Sequence, residues 1–164
     1  MLKDWGVAIG LAVAVYLLIG WLQPSMDLPD QAPSIAVDTL DGAPWQLESH
    51  RGQTVVLNFW ATWCGPCKRE IPDFSRFAED HPEVPVIGIS LDDQKISDAR
   101  LRAQAKALGV RYPVARFTET IRADYDVRTL PTTVIVGPEG QVQFIRVGSM
   151  SYDSLVRAVG EVSG

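Results

Sequence analysis

The chain has 164 residues, 46% of them hydrophobic, and a formal net charge of -5. That length holds one domain of ordinary size around one core, plus an appendage. A sequence pI of about 4.9 argues against the basic face of a nucleic-acid-binding protein, and that class of partner is set aside. The two cysteines, Cys64 and Cys67, are three positions apart, so no disulfide framework holds the fold and stability comes from apolar burial.

Residues 5–22 form a run of 18 uncharged residues, the lower end of what crosses a bilayer core as one helix, with Trp5 and Trp21 at the two interfaces. Lys3 and the amino terminus put positive charge on the N-terminal side, so residues 1–4 are expected in the cytoplasm and the domain outside. A cleaved signal peptide competes with this reading, but Gln23-Pro24-Ser25-Met26-Asp27 offers no small-x-small cleavage site, which favours an uncleaved anchor. Residues 23–33 contain three prolines and no apolar periodicity and read as a semi-extended linker.

The domain is expected over residues 34–164. Residues 34–38 and 44–47, joined through Asp41-Gly42, predict a hairpin that covers a sheet edge. Residues 55–72 hold an apolar, β-branched and aromatic run, a Cys-x-x-Cys and then a charged segment, which together predict strand, loop and helix. The helix is expected over residues 65–80, interrupted at Pro72, with Phe74 and Phe77 toward the core. Residues 84–91 are almost wholly apolar, the mark of a parallel strand covered on both faces. Ile96, Ala99, Ala103 and Ala107 recur at helical spacing and stop at Gly109. Residues 112–117 predict a short strand, 121–125 a short helix, 132–136 and 142–147 an antiparallel pair, and 152–162 a terminal helix. The order implies an α/β fold, a central mixed sheet flanked by helices.

The chemistry concentrates at the cysteines. With a helix starting near Gly65, Cys64 sits at its amino end, where unpaired backbone N–H groups and the dipole stabilise a thiolate. Pro66 suits the first helical turn, and Cys67 follows one turn later, close enough to close a disulfide. Thiol–disulfide exchange needs such a pair: one exposed thiolate to attack and one shielded thiol to resolve the mixed disulfide. A zinc site would need two further ligands, and the only histidines are His50 and His81, expected as surface loop residues. A purely structural bridge closing so short a loop would remove little chain entropy. The two sulfurs carry the electrons themselves, so no cofactor is called for.

The stretch Asn58-Phe59-Trp60-Ala61-Thr62-Trp63-Cys64-Gly65-Pro66-Cys67 resembles a thioredoxin active site. Its continuation Lys68-Arg69-Glu70-Ile71-Pro72 resembles the TlpA/ResA branch of that superfamily, made up of membrane-anchored thiol–disulfide oxidoreductases, and Leu130-Pro131-Thr132-Thr133 agrees with it far downstream. The resemblance covers residues 32 to the C-terminus and implies a thioredoxin fold with an added N-terminal hairpin and a helical insertion at residues 95–108. It implies a cis Leu130–Pro131 bond beside the disulfide, with the backbone of Leu130 free to pair with an extended substrate segment; cis costs only about 0.5–1 kcal/mol at an X-Pro bond.

Where thioredoxin has a buried aspartate this chain has Asn58, which does not titrate, and the resemblance gives the acid–base work to Glu70, a buried carboxylate suited to take the proton of Cys67. A surface glutamate near a helix start is the plainer alternative. Trp63 reads as docking surface or as core packing. Trp63, Gly65, Pro66, Leu130 and Pro131 are the expected substrate-facing residues, and Cys64, Cys67 and Glu70 the catalytic ones. The thioredoxin-like Gly65-Pro66 points to a reductase of disulfides in extracytoplasmic proteins, in the periplasm of a bacterial inner membrane. By resemblance it would be supplied by a membrane electron donor of the DsbD or CcdA kind and serve targets such as apocytochromes c. A thioredoxin-fold copper chaperone is the alternative of another class, and no histidine follows His81 to complete its site. A peroxiredoxin lacks its Thr-x-x-Cys pattern here, since Thr62 precedes Cys64 by two.

Overall fold

The computed structural model describes residues 31–163. Among them no helix is long and apolar enough to cross a membrane, and residues 5–22, where the sequence suggests an anchor, lie outside the described part, as does most of the linker.

A five-stranded sheet has the order β5-β4-β3-β6-β7, with β3 (Val55–Trp60), β4 (Val86–Ser90), β5 (Val114–Arg116), β6 (Thr132–Val136) and β7 (Val142–Val147). The strands β3, β4 and β5 run parallel, while β6 and β7 add on antiparallel. Every residue of β3 and β4 is buried, as these largely apolar strands, broken only by Asn58 and Ser90, require when both faces are covered. Side chains alternate along β3. Val55, Leu57 and Phe59 enter one core with Ile121, Tyr125 and Val127, whereas Val56 and Trp60 face helices α1 (Gly65–Asp80), α2 (Asp98–Ala107) and α4 (Tyr152–Ser163). The same alternation aims Asn58, the polar member of β3, at the helix α1 face.

A separate hairpin of β1 (Ala36–Asp38) and β2 (Pro44–Gln46) seals the β5 end of the sheet: Thr39 bridges to Ala115, and the Leu40 N–H donates to the Val114 carbonyl at 2.7 Å. Gly42, at φ 83, makes the turn that the sequence signals. At the other end β7 is an edge with Ile145 39% and Val147 60% exposed, and the β6–β7 register is irregular at Ile135/Val136.

Helix α1 runs on through the exposed Pro72, and Phe74 and Phe77 are fully buried beneath it. Helix α2 begins at Asp98 because the Ser97 hydroxyl caps it by accepting from the Arg100 N–H. Its buried stripe is Leu101 and Ala105, with Leu108 half-buried, while Ala99, Ala103 and Ala107 are exposed. The alanine spacing thus marks the wrong stripe, since the leucines have more area to bury. Helix α3 (Glu119–Asp124) starts two residues earlier than the apolar pattern suggests, capped by the Thr118 hydroxyl, which accepts from the Ile121 N–H at 3.1 Å.

Candidate active site

The carboxyl ends of β3 and β4 converge on the loop that leads into helix α1, the position where open α/β sheets place their chemistry. Cys64 is the N-cap of α1, extended at φ -79 and ψ 107, and its Sγ accepts from the Cys67 N–H at 3.2 Å. The two cysteines are joined as a disulfide with Cα atoms 5.3 Å apart. Cys64 is 4% exposed and Cys67 not at all, so one cysteine reaches the surface only by a sliver and the other is fully buried. The sequence leads one to expect a more open Cys64; here Trp60, Ala61, Ile71, Leu101 and Leu130 pack around the bridge.

The expected substrate-facing residues frame that sliver. Trp63 is 66% exposed, so it is not part of the core. Gly65 and Pro66 are exposed, and the Pro66 carbonyl accepts from the Ser149 hydroxyl at 3.2 Å. The Leu130–Pro131 peptide is cis, Pro131 is buried, and its carbonyl accepts from the Gly148 N–H at 2.8 Å. Trp63 and Leu130 are two walls of a groove of about 410 Å³ that also meets Leu91, Phe117, Arg122 and Arg128.

Behind the cysteines Glu70 is 2% exposed, so it is no surface residue. Its Oε1 accepts from Asn58 Nδ2 at 2.8 Å and its Oε2 from the Met150 N–H at 3.1 Å. Burial pushes its pKa up to about 7; the bonds from Asn58 and Met150 pull the other way, and the Asp73 charge adds to the rise. A carboxyl group poised there exchanges a proton near neutral pH. Asn58 is itself fully buried, and its Oδ1 accepts from the Tyr112 hydroxyl at 3.1 Å. Burial, and then the neighbouring Glu70, drive the Tyr112 hydroxyl far above its usual range, so it stays a neutral donor.

One residue of the site escapes sequence reasoning altogether. Asp92, fully buried, accepts from the Thr62 N–H at 2.9 Å, from the Thr62 hydroxyl, and from the Ser90 hydroxyl at 2.8 Å. It anchors the loop that carries Trp63 and Cys64. The available signal was an Asp-Asp pair directly after the almost wholly apolar run of residues 84–91, at the sheet end where sites form. His50 and His81 lie away from the cysteines, half-buried, bonded to Gln53 and Glu83, and among the described residues no group of three or more His, Cys, Asp or Glu is placed to hold a metal ion.

A Cys-x-x-Cys disulfide at the amino end of a helix, on a mixed sheet of this order, defines a thiol–disulfide oxidoreductase of the thioredoxin fold. Residues 28–145 match the family model of the AhpC/TSA family, and the chain belongs to that family. It is 31% identical over 160 residues to the thioredoxin-like protein YneN of Bacillus subtilis (strain 168), across 92% of this chain and 94% of that one. The thiol-disulfide oxidoreductase ResA of the same strain is 31% identical over 165 residues, covering 94% and 89%. Among solved structures, a thiol:disulfide interchange protein of the thioredoxin family from Chlorobium tepidum TLS superposes with a TM-score of 0.75 at 28% identity, over 85% of this chain and 100% of that one.

Proposed function

We propose that this oxidoreductase is a reductase of protein disulfides outside the cytoplasm, held at a bacterial inner membrane by residues 5–22. The observation that carries the reading is the order of depth at the site: Trp63 and Pro66 at the surface, Cys64 at 4% exposure, then Cys67 at 0% and Glu70 at 2%. In the dithiol form the Cys64 thiolate attacks one sulfur of a substrate disulfide. A mixed disulfide forms, and the other substrate sulfur leaves as a thiolate and takes up a proton from water. Cys67 then passes its proton to Glu70 and attacks the Cys64 sulfur. The second substrate sulfur departs as a thiolate and takes up a proton from water, and two electrons have moved from the enzyme to the substrate.

Gly65-Pro66 between the cysteines supports the reducing direction, since the same dipeptide stands in thioredoxin. Trp63, Gly65, Pro66, Leu130 and Pro131 receive the substrate segment around the sulfur. A membrane reductant of the DsbD or CcdA kind restores the dithiol, and apocytochromes c, whose haem-binding cysteines must be free, are the substrate class that the TlpA/ResA resemblance supports. The test is to express the full chain with Cys67→Ser in a bacterial envelope, where mixed disulfides through Cys64 stay unresolved. Apocytochromes among the captured proteins are the expected result, and capture of none by Cys67→Ser, while the wild-type chain reduces insulin, would remove them. Protease added to spheroplasts should digest the domain while uncut protein stays with the membrane; a soluble, N-terminally shortened product would mean a cleaved leader.

A further inference from the structure

The Glu70 carboxylate has an unusual helper in Asn58. An amide presents a donor on one side and an acceptor on the other, and only Nδ2 toward Glu70 suits a charged carboxylate. A protonated Glu70 would bond as well to the amide turned over, with Oδ1 accepting from the carboxylic acid. What decides between the two is the group on the far side of the amide, and that is Tyr112. Its hydroxyl donates to Asn58 Oδ1 at 3.1 Å and makes no other hydrogen bond among the described residues. With the amide reversed, the Tyr112 hydroxyl would receive from Nδ2 and its own proton would be buried without an acceptor. The neighbouring Trp60 Nε1 is a donor, itself buried without a partner, and offers none. Gly88 lets both rings close in, since a Cβ there would lie 2.8 Å from Trp60 Nε1 and 2.9 Å from Tyr112 Cε2.

We propose that Tyr112 is a positioning residue for Glu70, acting through Asn58: its hydroxyl locks the amide with Nδ2 toward the carboxylate and so favours the charged form that accepts a proton. The other groups around Glu70 leave this role open. Cys67 and Asp73 come from α1, the Met150 N–H from the turn before α4, and Thr133, in register with Asn58 on β6, is uncharged. Arg146, next along that row on β7, is exposed. The consequence for turnover rests on the reading of Glu70 as the proton acceptor of Cys67, whereas the lock itself does not.

The experiment is a carboxyl-carbon NMR titration of Glu70 in the oxidised full-length protein, in which neither cysteine titrates, with the resonance assigned by its loss in Glu70→Gln. In Tyr112→Phe the Glu70 midpoint should move upward by roughly half to one pH unit, the worth of one neutral hydrogen bond. In Asn58→Ala, or the bulkier Asn58→Leu should the alanine protein fail to fold, the midpoint should rise further, and adding Tyr112→Phe should then change nothing. An unmoved or lowered midpoint in Tyr112→Phe, or the same increment with Asn58 absent, would overturn the lock. The pH profile of substrate-disulfide reduction by Tyr112→Phe should follow the titration. A moved titration with an unmoved profile upholds the lock and instead overturns the proton-accepting role of Glu70.

Discussion

Thr62 and Asp92, 30 positions apart, are joined twice: the Thr62 N–H donates to Oδ2 at 2.9 Å and the Thr62 hydroxyl to Oδ1. The nucleophile's loop is therefore tied to the end of β4 by a buried carboxylate, and removing it strands a backbone donor as well as two hydroxyls. Asp92→Ala should lower the unfolding free energy by roughly 1–3 kcal/mol, and Thr62→Val, which keeps the backbone bond, by about 0.5–1.5 kcal/mol. Urea unfolding of the two variants ranks them, and equal costs would mean that the backbone bond and the bond from the Ser90 hydroxyl together contribute nothing. Insulin reduction by Asp92→Ala should also slow, because Cys64 and Trp63 lose their fixed position.

Glu70 makes stability depend on pH in a definite direction. In the unfolded chain its carboxyl ionises near 4.5 and in the folded protein near 7, so between those values unfolding releases a proton and rising pH favours the unfolded state. The wild-type oxidised protein should lose up to roughly 3 kcal/mol from this group between pH 4.5 and pH 8. Glu70→Gln lacks that loss, so its stability relative to wild type should climb over the same window. A difference between the two proteins that stays flat with pH would show that Glu70 titrates normally.

In the reduced enzyme the same substitution should act on the thiols. A carboxylate near a forming thiolate raises the thiol's pKa, so the neutral amide introduced by Glu70→Gln should lower it while slowing the resolving step for want of a base. Thiolate absorbance and turnover, measured on Glu70→Gln beside Glu79→Gln, decide the matter. Glu79 is exposed and paired with Arg111 at 2.7 Å, so identical behaviour of the two variants would return Glu70 to a structural part.

Alkylation separates the two sulfurs. Cys64, at the helix amino end, should react first with iodoacetamide and with a thiol pKa below the roughly 8.5 of free cysteine, and Cys67 only slowly. Mass mapping of singly labelled protein reads this out directly, and faster labelling of Cys67 would exchange the two roles.

Gly88→Ala probes the close approach behind the amide. The new methyl meets both Trp60 and Tyr112 rings, and overpacking of this kind should destabilise the protein by roughly 1–3 kcal/mol. A cost below about 0.5 kcal/mol would mean that the rings step aside freely.

Local chemistry carried most of what could be read from the sequence. The strand, Cys-x-x-Cys and helix of residues 55–80 lie side by side in the chain, so propensity, capping and spacing all speak about the same contacts. Glu70 was within reach because it follows Cys67 by one turn, and the cis proline because a second motif accompanies the first. The partners that tune the site were hidden by separation: Tyr112 meets Asn58 across 54 positions, and Met150 meets Glu70 across 80. Nothing in a tyrosine before Pro113 says which amide its hydroxyl will find. Helix α2 misled for another reason, because small alanines repeat at helical spacing on either face and only Leu101 has the area to choose one.

The hairpin at the β5 end gives the sheet a polarity of exposure. A strand edge is a template for a second chain, and here one template is sealed while the other is unpaired among the described residues. Along β7 the irregular register at Val136 spoils the far half, and Arg146 puts a charge in the near half. The stretch that stays regular ends at Val147, opposite Thr132 and next to the cis proline. Crowding or mild denaturation should therefore drive self-association through this end, masking the redox centre as it proceeds, so that loss of thiol–disulfide oxidoreductase activity would precede visible aggregation.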